Sequence, residues 1–122
     1  MFADLLRSII GRVEGSLGAL IMGLDGIAVE QVEVQKLDKS EALNMVAAAH
    51  ATLLRNSMRL TSDVGVGALN ELTVMSTEMT LVMKLINREY FLLIAIRPDG
   101  NLGRARFELR KAQLQIAEEF SI

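Results

Sequence analysis

The chain contains no cysteine and no tryptophan, and a single proline, Pro98, in 122 residues. Without thiols, disulfide bridges, thiolate metal sites and thiol nucleophiles are excluded. Aromatic residues are scarce, at 4%, so the core has to be aliphatic. Charge of one sign is missing as well: 13 basic against 15 acidic residues give a formal charge of −2, which is no electrostatic footprint for nucleic acid. The longest uncharged stretches, such as Gly15 to Leu24 and Tyr90 to Ile96, fall far below the ~20 apolar residues of a membrane helix. The segment Met1 to Arg7 carries Asp4 ahead of its first basic residue, unlike a secretory signal, so a cytoplasmic protein is expected. What is abundant is aliphatic side chain, with 51% hydrophobic residues and a mean hydropathy of +0.32. That excludes intrinsic disorder and suits one domain over residues 1–122. It is a large aliphatic fraction for so small a soluble unit.

Residues 2–14 place Phe2, Leu5, Leu6, Ile9 and Val13 at helical spacing, with Arg7, Arg12 and Glu14 opposite. Gly15 and Gly18 end that helix. Leu17 to Met22, the turn Gly23-Leu24-Asp25-Gly26 and the residues through Val34 then read as a hairpin. A shift of phase between Val29 and Val32 predicts a bulge or a strand end there. Three further strands are predicted at Leu69–Met75, Met79–Ile86 and Tyr90–Ile96. The unbroken apolar runs Leu17–Met22 and Tyr90–Ile96 mark strands covered on both faces, whereas the alternating Leu69–Met75 is an edge. Pro98-Asp99-Gly100-Asn101 precedes a final helix, Leu102 to Phe120, with Leu102, Ala105, Leu109, Ala112, Ile116 and Phe120 inward. The expected fold class is α+β, in the order α-β-β-α-β-β-β-α. It implies a five-stranded antiparallel sheet with helices on both faces.

The longest helix is predicted from Lys39 to Thr61, with Asp38 and Glu41 at capping-box spacing. On a wheel of 3.6 residues per turn, Ala42, Leu43, Val46, Ala47, Ala51, Leu53, Leu54, Met58 and Leu60 span roughly 200°. A helix lying on one sheet needs an apolar stripe of only about 100°. The surplus has to be covered by another element of the chain or by a second chain.

Three stretches together resemble the roadblock/dynein-light-chain family, in particular its bacterial members. They are Val13-Glu14-Gly15-Ser16-Leu17-Gly18-Ala19-Leu20 running on through Met22-Gly23-Leu24-Asp25-Gly26-Ile27, the long Ala-rich helix, and Arg97-Pro98-Asp99-Gly100-Asn101-Leu102-Gly103-Arg104-Ala105-Arg106. The resemblance implies a roadblock/profilin-like sandwich. It further implies dimers in which the long helices pair and edge strands join two sheets, acting without covalent catalysis as platforms for small Ras-like GTPases. The expected dimer interface is Leu43, Val46, Ala47, His50, Leu53, Leu54 and Met58 on the helix, with Leu69, Glu71, Thr73 and Met75 on the edge strand. The function so implied is a homodimeric, non-enzymatic regulator of a small Ras-like GTPase; the alternative is a purely structural scaffold of dynein-light-chain type. A small-ligand sensor is a third reading. No cofactor or metal is expected, and neither nucleic acid nor membrane insertion.

Individual residues add little chemistry. His50, the lone histidine, sits in the apolar arc without the companions a metal site needs; a hydrogen-bonded seam or core residue is expected, or a pH-sensitive contact. Gly65-Val66-Gly67 precedes a strand and lacks the Lys-Ser/Thr ending of a phosphate-binding loop. Ser8, Ser16, Ser40 and Ser76 lack a Gly-x-Ser-x-Gly setting. Arg104, Arg106 and Arg110 are read as a solvated face or a docking patch, since a regular helix does not reach into a GTPase as an arginine finger must. Met75, Met79 and Met83 read as packing. Met45, on the polar side of its helix, is a candidate contact.

Overall fold

The computed structural model describes residues 1–34 and 42–120. Its elements are α1 (Phe2–Arg12), β1 (Ser16–Gly23), β2 (Ala28–Glu33), α2 (Ala42–Asp63), β3 (Glu71–Met75), β4 (Thr80–Leu85), β5 (Tyr90–Ile96) and α3 (Leu102–Phe120). The order matches the expected α-β-β-α-β-β-β-α. The Asp38–Glu41 capping pair, Ser40 and the first residues of the expected long helix lie outside the described residues, as does the side chain of Phe120.

The strands form one sheet in the order β2-β1-β5-β4-β3, and every pairing is antiparallel. The unbroken apolar runs therefore occupy the middle of the sheet, where both faces are covered, and the half-polar β2 and β3 form its edges. The predicted change of phase in β2 is a bulge. Ile21 faces Glu30 while Met22 faces Ala28, so Val29 is the extra residue.

Each face of the sheet carries its own aliphatic core. On one, Leu6, Ile9 and Val13 from the N-terminal segment and Ala105, Leu109, Ala112 and Ile116 from α3 pack on Ala19, Ile21, Val82, Leu92, Ile94 and Ile96. On the other, α2 alone seats Leu43, Ala47, Ala51 and Leu54 on Leu20, Met22, Leu81, Met83, Phe91, Leu93 and Ala95. Two helices thus cover one face and a single helix the other. Leu69, Leu72, Val74 and Met79, on the β3 side of the α2 face, are only partly buried.

The expected β3 began at Leu69, with Leu69 sharing a side with Glu71, Thr73 and Met75. The strand instead begins at Glu71. Leu69 precedes the ladder and packs into the α2-side core together with Leu72 and Val74. Alternation cannot carry through a residue that is not in extended pairing.

Two loops close the end of the molecule where α3 starts. Arg97 N–H donates to the Gly15 carbonyl at 2.8 Å and Asn101 N–H to the Glu14 carbonyl at 3.0 Å. The Asn101 side chain accepts from Arg104 N–H at 3.0 Å, which caps α3.

Candidate functional site

The wide apolar arc of α2 divides into two parts. Leu43, Ala47, Ala51 and Leu54 are fully enclosed by the chain's own sheet. The neighbouring line of Val46, His50, Leu53, Ser57 and Leu60, continued by Val64 just past the helix end, is half-buried or exposed. Its spacing alternates four and three residues, the 3.5-residue repeat of a helix–helix seam. Leu53 keeps 43% and Leu60 57% of its surface exposed. The opposite flank of α2 meets the β1–β2 turn: a Cβ on Gly26 would lie 3.8 Å from that of Ala48, and Arg55 donates to the Leu24 carbonyl. Leu72 and Val74, on the α2 side of the sheet edge, are also partly open.

This splits the residues expected at a dimer interface. Val46, His50, Leu53 and Met58 reach the surface wholly or in part, whereas Leu43, Ala47 and Leu54 are buried in the chain's own core. The wheel could not separate them, because a side chain buried on a sheet and one covered by another chain are equally apolar. His50 Nδ1 lies 2.8 Å from the Val46 carbonyl. An oxygen acceptor there requires the proton on Nδ1. Among the described residues no three His, Cys, Asp or Glu side chains stand close enough to hold a metal ion.

At the sheet edge, Glu71 and Thr73 point to the α3 side. Arg106 Nε donates to Glu71 Oε2 at 2.9 Å, Thr73 Oγ1 donates to the same oxygen at 2.9 Å, and Lys84 Nζ lies 3.8 Å from Oε1. Met75, at the end of the strand, is exposed. β3 has a strand neighbour on one side only, so its outer row of backbone groups is open to a further strand.

The candidate docking residues do not share one surface. Met45 is exposed on α2, across the sheet from the arginines of α3. The arginines themselves diverge: Arg106 leans to β3, while Arg104 leans to α1. There Arg104 Nη2 lies 3.3 Å from Glu108 Oε2. Arg12 Nη1 is 3.4 Å and Lys111 Nζ 3.2 Å from Oε1 of the same carboxylate. Glu108 is 1% exposed, and its Oε2 accepts no directed hydrogen bond among the described residues. Burial pushes the Glu108 carboxyl up, but Lys111, Arg12 and Arg104 together outweigh it and hold the carboxyl below its usual 4.5.

A carboxylate with a lowered folded value stabilises above its unfolded value, and that contribution is lost as pH falls through the folded one. Glu108→Gln should therefore lower stability by about 1–2 kcal/mol at neutral pH, a figure discounted because the three cations are about half exposed. The gap between the two proteins should narrow as pH drops below 4.5, and urea titrations at several pH values measure it. A gap that stayed constant down to strong acid would show that the ion cluster contributes nothing.

No helix among the described residues is long and apolar enough to cross a membrane. No family model matches the chain, and no curated protein matches it. Solved structures do. The chain is 34% identical to MglC from Myxococcus xanthus over 98% of either chain, with a TM-score of 0.72. A roadblock/LC7 domain from Streptomyces avermitilis aligns with a TM-score of 0.82 at 13% identity, over 95% of this chain and 94% of that one. The gliding protein MglB from Thermus thermophilus aligns with a TM-score of 0.81 at 19% identity, over 96% of this chain and 88% of that one. The last two likenesses are of fold; the first extends to sequence along the whole length.

Proposed function

Because the chain belongs to the roadblock/LC7 family, we propose that it is a homodimeric, non-enzymatic regulator that binds a small Ras-like GTPase and modulates or positions it. The observation that carries the dimer is the half-buried to exposed line Val46, His50, Leu53, Ser57 and Leu60 on α2, on the same sheet face as the partly open Leu72 and Val74. Two copies related by a two-fold axis bury that line against each other. The same axis pairs the open edges of β3. With Thr73 on the axis, Glu71 stands opposite Met75 of the second copy, and Leu72 opposite Val74. The apolar pair then lies on the α2 side and continues the helix seam. Glu71 enters with its charge already matched by Arg106 and Lys84.

A joined sheet with paired helices presents a surface spanning both chains, wide enough for one globular partner. Stimulation of hydrolysis then comes from ordering the GTPase's own switch segments. The GTPase itself rests on family membership. Immobilised protein offered small Ras-like GTPases in their GDP and GTP states should retain one state preferentially. Retention of neither state, together with capture of extended peptides, favours the purely structural scaffold instead.

A further inference from the structure

The face of α3 turned away from the sheet combines features that the dimer seam does not use. At 100° per residue, Phe107 and Leu114 point outward, with Arg104 and Lys111 on the α1 flank and Arg110 on the other. Phe107 is 55% and Leu114 63% exposed. Arg104 and Lys111 lie over the Phe107 ring, 5.6 and 5.5 Å from its centroid, which holds both the ring and the cations in place. A buried carboxylate, Glu108, is shared among Arg104, Lys111 and Arg12, and Arg110 has no ion-pair partner among the described residues. A chain that is net acidic thus gathers uncompensated positive charge around two exposed apolar side chains. Beside them an open cleft of about 360 Å³ runs between α1 and α3, lined by Leu5, Ser8, Arg12, Lys111 and Gln115.

We propose that this α3 face docks an acidic amphipathic helix from another protein, independently of the α2 seam. Phe107 and Leu114 are seven residues apart, about 10.5 Å along the helix. That spacing matches apolar side chains repeating every two turns on an incoming helix. The cations at the rim face its carboxylates and set its orientation. An anionic membrane fits less well, because Glu118 lies on the same face one turn past Leu114 and Asp4 lines the cleft. A uniformly negative surface would meet both.

The test uses the full chain and a panel of Glu/Leu amphipathic peptides of about 20 residues, long enough to span both anchors. Each is paired with a scrambled peptide of the same composition, and binding is read by fluorescence anisotropy. The ordered peptides should bind at least about tenfold more tightly than the scrambled ones, and more weakly as salt rises. Phe107→Ala and Arg110→Glu, both at exposed positions, should each weaken binding about tenfold without changing the oligomeric state in gel filtration. No binding, equal binding of scrambled peptides, or indifference to both substitutions overturns the proposal. So does binding to phosphatidylserine vesicles in place of peptides, or a change of oligomeric state in the variants. Loss of the dimer by substitution on α2 leaves this result unaffected, so the two ideas fail separately.

Discussion

Leu53→Asp combined with Leu60→Asp should convert a dimer into a folded monomer. Leu53 keeps 43% and Leu60 57% of its surface exposed, so aspartate costs the monomer a few tenths of a kcal/mol in helix propensity at each site and about half the ~1.5–3 kcal/mol of a fully buried leucine. Across a two-fold seam, the same change brings four carboxylates into a desolvated interface and removes the burial of four leucines. Each leucine forfeits in the dimer about half of the ~1.5–3 kcal/mol of full burial, since half its surface is already covered, and each uncompensated charge adds to that. A weakening of the dimer by at least about a thousandfold is expected. Light scattering coupled to gel filtration reads the mass, and circular dichroism checks the fold. Leu54→Asp is the contrast: Leu54 is fully enclosed, so this variant should unfold rather than dissociate. A double variant that stayed dimeric, or an unmodified chain that ran as a monomer at micromolar concentration, would remove the seam.

The second large effect is expected at Gly15. Its φ is +86°, and a Cβ there would sit 2.6 Å from the Cα of Gly100. Backbone cannot give way as a flexible side chain can. Gly100 is equally confined, since its own Cβ would meet the Glu14 and Arg97 carbonyls at 3.0 Å. Any side chain at Gly15 therefore combines left-handed strain with a backbone clash, and it disturbs the hydrogen bonds that tie β1, β5 and the start of α3 together. Gly15→Ala should cost about 2–4 kcal/mol, and Gly15→Val more, because a β-branched residue tolerates positive φ least. Gly11 is the control: it lies in α1, and a Cβ there meets nothing within 4 Å. Gly11→Ala should stabilise by about 0.5–1 kcal/mol. Urea unfolding midpoints of the three variants give the comparison, and a neutral Gly15→Ala would refute the close-packed loop contact.

Both predictions show how far local pattern reaches. Gly15 was legible as a break after the periodic residues 2–14, although α1 ends earlier, at Arg12, and Gly18 lies within β1. The contact of Gly15 with Gly100 was not legible, since nothing local links two loops that meet only when β1 and β5 pair. The surplus apolar arc of α2 was likewise legible, but the boundary between Leu53 and Leu54 within it was not. The three arginines of α3 looked like one patch until α1 and β3 took opposite flanks of the helix and divided them.

The sequence by itself determined the order of helices and strands, and that β1 and β5 lie inside the sheet while β3 lies at its edge. Those follow from the 3.6- and 2-residue periods and from unbroken apolar runs, properties of neighbouring residues. Only the tertiary structure decided which apolar side chains of α2 are core and which remain for a partner. It also decided which cations are matched within the chain and which face outward. The physical reason is the same in both cases: hydrophobic burial is non-directional and unspent charge depends on what stands nearby. Neither is settled until the helices are docked on the sheet.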